Sequence, residues 1–216
     1  MLKADLHVHT QYSLDSNTPL EKIVSRCLER GINCVAISDH GTAEGALKLR
    51  EMAPFTVIVA EEILTPHGEI MGLFLEKTIP SGLSVAETIS SIKAQGGLVC
   101  IPHPFDSIRK SALRTHIIEE IVDQIDMIET LNARVMLPKN SAKARAFAAE
   151  HGIIQSAGSD AHTLGEIGNA YVEIPEFGGR DDFLQALEKG EICGHMTNPL
   201  IHFASIWTKL KNRCLG

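Results

Sequence analysis

The chain has 216 residues, 44% of them apolar and 22% charged, with a formal net charge of -7. That length supports one domain with a substantial core, and the acidic balance argues against a duplex nucleic-acid partner, whose phosphates call for a basic stripe. No run of about 18 uncharged apolar residues occurs, so no membrane span is expected.

In chain order, Lys3 to Val8 reads as a first strand. Its Lys3, Asp5, His7 and His9 break up any apolar leader, which argues against a secretory signal and for a cytoplasmic protein. Thr18 reads as a helix N-cap with Pro19 at the first helical position. Leu20, Ile23, Val24, Cys27 and Leu28 follow at helical spacing until Gly31. Cys34 to Ile37 is a buried strand, and a helix runs through Leu47 and Leu49. Thr56 to Ala60 and Ile70 to Leu75 read as strands close together. Ser84 caps a helix that ends before Gly96 and Gly97. Leu98 to Ile101 is a strand, 117–122 a helix, and Met127 to Leu131 a strand. Ser141 to His151 is helical, Ile153 to Ala157 and Tyr171 to Ile174 are strands, and Asp182 to Lys189 is a helix. Such alternation predicts parallel βα units, and about seven of them in roughly 200 residues predict an imperfect α/β barrel in a single domain. The absence of a GxGxxG after the first strand weakens a dinucleotide-binding alternative.

The residue types that bind metals fall at the ends of these strands. His7 and His9, two apart, share one face of the first strand. Asp39 and His40 follow the second, Glu61 and Glu62 the third, His103 the strand at 98–101, and Asp160 and His162 the strand at 153–157. In a parallel barrel, the carboxyl ends of the strands build the active site. Imidazoles with carboxylates and no thiolate suit zinc, manganese or iron. Glu62 is suited to bridge two cations, whereas Glu61 points the opposite way and reads as structural. Asp15, in the polar loop after the HxH pair, is a further candidate ligand; His67 and Glu69, around a turn, are weaker ones. His116, His151, His195 and His202 read as surface or packing residues. Five scattered cysteines (Cys27, Cys34, Cys100, Cys193 and Cys214) include no CxxC pair and read as reduced thiols.

These pieces resemble the PHP (polymerase and histidinol phosphatase) domain family. They are Asp5-Leu6-His7-Val8-His9-Thr10 with Tyr12, Ser13 and Asp15, then Ser38-Asp39-His40, Glu62, Ile101-Pro102-His103-Pro104 and Gly158-Ser159-Asp160-Ala161-His162, in the family's order over residues 5 to 162. The resemblance implies a distorted (β/α)7 barrel with two or three divalent cations. By analogy His7, His9, Glu62 and Asp160 hold one metal, and Asp15, His40 and His162 a second. Glu62 and His103 begin a third. Relatives place a further histidine after the strand at 127–131; this chain has none between 117 and 150, and Glu129 or Asn132 stands nearest that place.

The expected activity is hydrolysis of a small phosphorylated metabolite or nucleotide by a hydroxide held between cations, which attacks phosphorus in line. Arg109 is the candidate phosphate clamp, with Arg134 behind it. Asp39, or a metal-bound water, is the candidate to serve the leaving group. Basic residues gather at Arg109, Lys110 and Arg114, and again at Lys139, Lys143 and Arg145, as a local phosphate-attracting rim or as solvated helix faces. Competing readings are a 3′ exonuclease-like phosphodiesterase, an amidohydrolase-type C–N hydrolase and a non-catalytic metal-binding module. Phe203, Ile206, Trp207 and Leu210, opposite Lys209, Lys211 and Arg213, form an amphipathic helix over 201–216 that docks on the barrel or makes a homo-oligomer interface.

Overall fold

The computed structural model of the protein describes residues 1–201, 207, 208 and 210–212. Nine strands lie in one sheet: β1 (Leu2–Val8), β2 (Cys34–Ile37), β3 (Thr56–Thr65), β4 (Gly68–Leu73), β5 (Leu98–Ile101), β6 (Met127–Asn132), β7 (Ile154–Gly158), β8 (Ala170–Ile174) and β9 (Glu191–Gly194). Their order is β7-β6-β5-β4-β3-β2-β1-β8-β9. Packed against them are α1 (Leu20–Arg30), α2 (Glu44–Met52), α3 (Val85–Ala94), α4 (Thr115–Glu120), α5 (Pro138–His151) and α6 (Arg180–Glu188). Among the described residues no helix is long and apolar enough to cross a membrane. The amphipathic stretch expected near the C-terminus lies largely outside the described residues, Phe203, Ile206, Lys209 and Arg213 among them.

The sheet curls until its seven-stranded part almost closes. Asp160 N donates to His7 O at 2.7 Å and His9 N donates to Ala161 O at 2.9 Å, joining the carboxyl end of β1 to the segment after β7. The amino half of β1 pairs with β8 instead, Leu2 opposite Ile174 and Ala4 opposite Val172. The result is a distorted α/β barrel in a single domain, sealed at the mouth where the candidate ligands sit.

The sheet departs from purely parallel βα units at β4, at β8, which runs antiparallel to β1, and at β9. The connection from β3 to β4 is only Pro66-His67, too short for a crossover, so β4 runs antiparallel to both β3 and β5. β9, which the sequence pattern does not reveal, pairs antiparallel with β8. Thr18 is not an N-cap: Pro19 occupies that position, and the Thr18 hydroxyl donates to the carbonyl of His162 at 3.1 Å. Ser84 does cap α3, within a capping box completed by Glu87.

Apolar side chains separate into two layers. Ala4, Leu6, Ala36, Ile58, Ala60, Leu73, Leu98 and Met127 pack together with Phe183 and Leu187 of α6. Val8, Val35, Ile37, Val59, Val99, Ile101 and Ile128 pack instead with residues of α1 to α5. A bulge in β1 matters here, because the pairing with β2 shifts register between Asp5 and Val8. Leu6 and His7 therefore share a facing position on β2, and the extra residue re-aims the strand. Val8 turns to the helix layer while His7 and His9 turn into the mouth.

Candidate metal centre

His7 and His9 come from the bulged end of β1 and face each other through Nε2 at 3.1 Å. Glu62 leaves β3 with the parity of Ile58 and Ala60, so it enters the same space. Its Oε2 lies 3.4 Å from His7 Nε2 and 3.5 Å from His9 Nε2. Asp160 follows β7, and its Oδ1 lies 3.6 Å from His7 Nε2 and 3.3 Å from His9 Nε2. His7, His9 and Glu62 form one donor group, and Asp160 adjoins it.

A second group is His9, Asp15, His40 and His162, whose ligand atoms all lie within 4.8 Å of one another. Asp15 reaches both rings, at 3.4 Å to His40 Nε2 and 3.3 Å to His162 Nε2. The third group is His40, Glu62 and Glu69. His103 adjoins it, with Nε2 at 2.6 Å from Glu62 Oε1 and 3.6 Å from Glu69 Oε2. Glu69, on β4, faces the mouth because the hairpin folds β4 back beside β3.

Backbone conformation helps aim two of these side chains. His103 (φ 31°) and Asp160 (φ 55°) both sit in the left-handed region, a strained conformation at roughly 1–3 kcal/mol each. Gly158 lets β7 approach β1 closely, since a Cβ there would overlap the Cβ of His7 and lie 2.7 Å from its N.

Several buried partners hold the ligands. Glu129 Oε1 lies 3.2 Å from His7 Nδ1, while its Oε2 accepts from His103 N at 2.6 Å and from Asn132 Nδ2 at 2.9 Å. That turns His7 Nε2 toward His9 and the carboxylates, the carboxylate–histidine arrangement found behind metal ligands. Ser13 Oγ lies 3.3 Å from His9 Nδ1 and donates to Asp15 Oδ1 at 3.1 Å. Arg134, buried, lies 2.7 Å from His162 Nδ1 through Nη1 and 3.0 Å from Glu166 Oε1 through Nε. Asp5 Oδ1 accepts from Ser159 N at 2.8 Å, and Asp5 Oδ2 accepts from Ser159 Oγ at 2.6 Å and Gly168 N at 2.9 Å, pinning the turn that carries Asp160.

The donor set fits divalent cations on internal grounds. Glu62 Oε2, Glu69 Oε2 and Asp160 Oδ1 are buried without a hydrogen-bond partner, and all three line the groups just described. Buried carboxylate oxygens without partners are costly unless a cation meets them. Burial opposes ionisation of Glu62, but His40, His7 and His103 hold it well below the usual carboxylate range. Asp160 is held down likewise, by Arg109 and His7 against burial. Burial, then the neighbouring rings of His162, His40 and His7, keeps His9 neutral, the state in which imidazole binds a metal. His40 is pushed up to about 10, its carboxylate neighbours Glu62 and Asp15 outweighing burial, so cation uptake there displaces a proton.

Residues 5–61 match the PHP domain family, and residues 138–192 match the PHP-associated family. The chain is 34% identical over 178 residues to the uncharacterized protein MJ0417 of Methanocaldococcus jannaschii, covering 81% of this chain and 71% of that one. The chain belongs to the PHP family. A second uncharacterized protein of that organism, MJ1587, is 41% identical over 145 residues, 61% of this chain and 82% of its own. Among solved structures, a two-domain protein from Bacteroides vulgatus, containing a PHP-like domain predicted to be a metal-dependent phosphoesterase, superposes with a TM-score of 0.72. It is 16% identical and covers 96% of this chain and 69% of that one. A candidate metal-dependent phosphoesterase from Bifidobacterium adolescentis (TM-score 0.62, 16% identity, 75% and 88% covered) has the same fold. So does an amidohydrolase from Chromobacterium violaceum (TM-score 0.65, 17% identity, 88% and 97% covered). At those identities the likeness concerns the fold alone.

Within this PHP mouth the structure brings together His7, His9, Asp15, His40, Glu62, His103, Asp160 and His162. It places others elsewhere. Both oxygens of Asp39 accept from Thr10, Oδ1 from the amide at 2.6 Å and Oδ2 from the hydroxyl at 2.7 Å. Asp39 therefore anchors the loop after β1 and does not face a leaving group. Glu129 and Asn132 do not fill the gap in the third group; they orient His7, His103 and Asp160, the last through Asn132 Nδ2 to Asp160 Oδ2 at 3.2 Å. The carboxylate that joins the third group is Glu69. Its period-2 relation to Met71 and Leu73 on β4 was the available signal, and the antiparallel turn concealed which way that strand ran. His67 stays outside the clusters, while His151 packs on Phe147 at 4.3 Å between ring centroids. Arg109 reaches the centre, with Nη2 donating to Asp160 Oδ2 at 2.6 Å. Burial disfavours its charge, but Asp160, Glu62 and Glu69 more than restore it.

Proposed function

We propose that this PHP protein is a metal-dependent phosphoesterase acting on a small phosphorylated metabolite or nucleotide, with two or three divalent cations of the zinc, manganese or iron kind. The observation that carries this reading is the position of Arg109. Among the described residues it is the one guanidinium on the centre that retains solvent exposure, its side chain 19% accessible against 4% for Arg134. When bound, the cations would supply Lewis-acid charge for phosphoryl oxygens and acidify an attacking water. The protein's own residues do the rest. Arg109 presents a planar fork that matches a phosphate bidentately once it turns from Asp160. Glu129, Asn132 and Glu166 fix the orientation of the ligands. Thr10 and Asp39 hold the loop that carries Ser13 and Asp15 against the mouth.

An amidohydrolase reading, which shares the HxH on the first strand, calls for a carboxylated lysine or a glutamate on a middle strand and a lone late aspartate. Asp15 and the Asp160-Ala161-His162 ending fit the phosphoesterase reading better. Lys3 is the only lysine in β1 to β7, and it pairs with Glu173 at 3.6 Å, away from the mouth. The net charge of -7 disfavours long nucleic acid as substrate. The test is hydrolysis of p-nitrophenyl phosphate, bis-p-nitrophenyl phosphate and a panel of phosphate monoesters and cyclic and linear nucleotides, using protein of measured manganese, zinc and iron content. Turnover of any of these that disappears on chelation supports the reading. Metal-loaded protein inert to the whole panel sinks it.

A further inference from the structure

The two basic clusters of the sequence, one before α4 and one at the start of α5, meet in space. Arg114, Lys139 and Lys143 line one cavity of about 430 Å³ together with Phe105, Asp106 and Asn140. Both chain segments that build it also reach the metal centre. The segment after β5 carries His103 and Arg109 into the mouth and Phe105, Asp106 and Arg114 into the cavity. The segment after β6 carries Asn132 and Arg134 to the ligands and then Lys139, Asn140 and Lys143 to the cavity. The first segment is strapped to the β3–β4 turn by Glu69 N to Ser111 O at 2.8 Å and Arg114 N to His67 O at 3.1 Å. Centre and cavity are therefore neighbouring compartments with shared walls.

We propose that this cavity is an anion subsite that receives a second phosphate of the substrate while the first lies at the metal centre. The inference rests on the phosphoesterase reading for the position of that first phosphate. Three cations face the cavity against one carboxylate, and that carboxylate is already engaged. Asp106 Oδ1 accepts from Ile108 N at 3.0 Å and from Asn140 Nδ2 at 3.4 Å, and Oδ2 lies 3.9 Å from Arg109 Nε. Asp106 thus braces the partition between the compartments. Lys143 Nζ stands 4.3 Å from the centroid of the Phe105 ring, which holds the ammonium over the cavity wall by cation–π attraction. Ser107 and Thr115 add hydroxyls suited to phosphate oxygens. A larger cavity of about 550 Å³, lined by α5, α6, β7 and β9, carries Glu188 and Glu191 and no cation, so it does not compete for an anion.

Non-hydrolysable ligands test the subsite apart from catalysis. The metal-loaded protein is titrated calorimetrically with alkane-α,ω-diphosphonates of three to six carbons and with the matching alkylphosphonates. At the best chain length the diphosphonate binds at least about tenfold more tightly, as expected for added charge-assisted hydrogen bonds. Lys139→Gln with Lys143→Gln, both at exposed positions, reduces that advantage to less than about threefold. Equal binding of mono- and diphosphonates at every length overturns the proposal. So does an advantage the double variant retains, because the second phosphonate then sits on the cations. If the advantage appears and the variant removes it while no phosphate ester is hydrolysed, the subsite stands and the phosphoesterase reading falls. Hydrolysis without any advantage means the reverse.

Discussion

The Nε2 atoms of His7 and His9 point at each other across 3.1 Å, and each ring's Nδ1 is already engaged, by Glu129 and by Ser13. Against burial, Asp160, Glu129 and Glu62 push His7 up while His9 stays neutral, so without metal the pair shares a proton that a bound cation would displace. Bound cations should therefore stabilise the fold. At about a hundredfold excess over Kd, linkage gives ~2.7 kcal/mol, which for a domain of this size raises Tm by roughly 5–10 °C. Scanning calorimetry with manganese or zinc, against the same sample in chelator, measures it; identical Tm values would show that the pair does not bind metal. His9→Ala, which removes a donor from two groups, should bring turnover to background, and turnover that persists points to a contaminant.

Glu129→Gln should weaken metal binding by about 10- to 100-fold. Both carboxylate oxygens face donors, His7 Nδ1 on one side and His103 N with Asn132 Nδ2 on the other. An amide must turn its NH2 toward one of them. Competition with a fluorescent chelator reads the affinity directly, and an unchanged Kd means Glu129 does not orient His7.

Glu69→Gln should cost one equivalent of bound metal per chain. Glu69 Oε1 lies 3.5 Å from His40 Nδ1 and its Oε2 has no hydrogen-bond partner, so the third group depends on its charge. Elemental analysis of the wild type and variant after loading gives the stoichiometry; equal metal content would mean that the third group holds no cation of its own.

Arg109→Ala should lower kcat by roughly 100-fold while metal content stays the same, the scale of losing one donor to developing charge. Lysine should restore only part of the loss, since an ammonium cannot make the bidentate fork. A variant that loses metal as well would mark Arg109 as a support for Asp160 and not as a phosphate contact.

Glu61 supplies a pH prediction. Its side chain turns to the helix layer, where Oε2 accepts from Ile79 N at 2.8 Å and Oε1 has no partner. Burial, and secondarily Asp39, pushes its pKa from 4.5 up to about 7. The folded state then binds more protons than the unfolded state between those values, so this group's contribution to stability falls as pH rises from 4.5 to 7. Glu61→Gln removes that slope and should be more stable than the wild type above pH 7 by about 2–3 kcal/mol. Urea denaturation at pH 5 and pH 8, at matched metal content, decides it; a difference between the two proteins that does not change with pH contradicts the assignment.

Much of the ligand set was legible in the linear chain because strand ends are local features. An apolar run such as Cys34-Val35-Ala36-Ile37 marks a strand, and whatever polar residue follows it must emerge at the barrel mouth. That rule locates His40, His103 and Asp160 without any knowledge of their neighbours. It also separates Glu62 from Glu61, since period-2 parity is a property of the strand itself. Thr18 has the composition of an N-cap, and only the His162 carbonyl that its hydroxyl meets separates it from the cap position at Pro19.

What remained hidden depends on contacts between distant segments. The bulge that turns His7 inward requires β2 beside β1, and the closure of the barrel requires the Asp160 amide to find the His7 carbonyl. Asp39 looks like a catalytic carboxylate until Thr10 is seen to occupy both its oxygens, and Glu69 looks like a turn residue until β4 folds back on β3. The two basic clusters, separated by β6, become one cavity only when α4 and α5 pack on adjacent strands. The sequence by itself determined which chemistry the mouth can hold, because residue type and strand parity are written locally. Only the tertiary structure decided which donors share a cation and which support them, because those roles depend on distances of a few ångströms across the barrel.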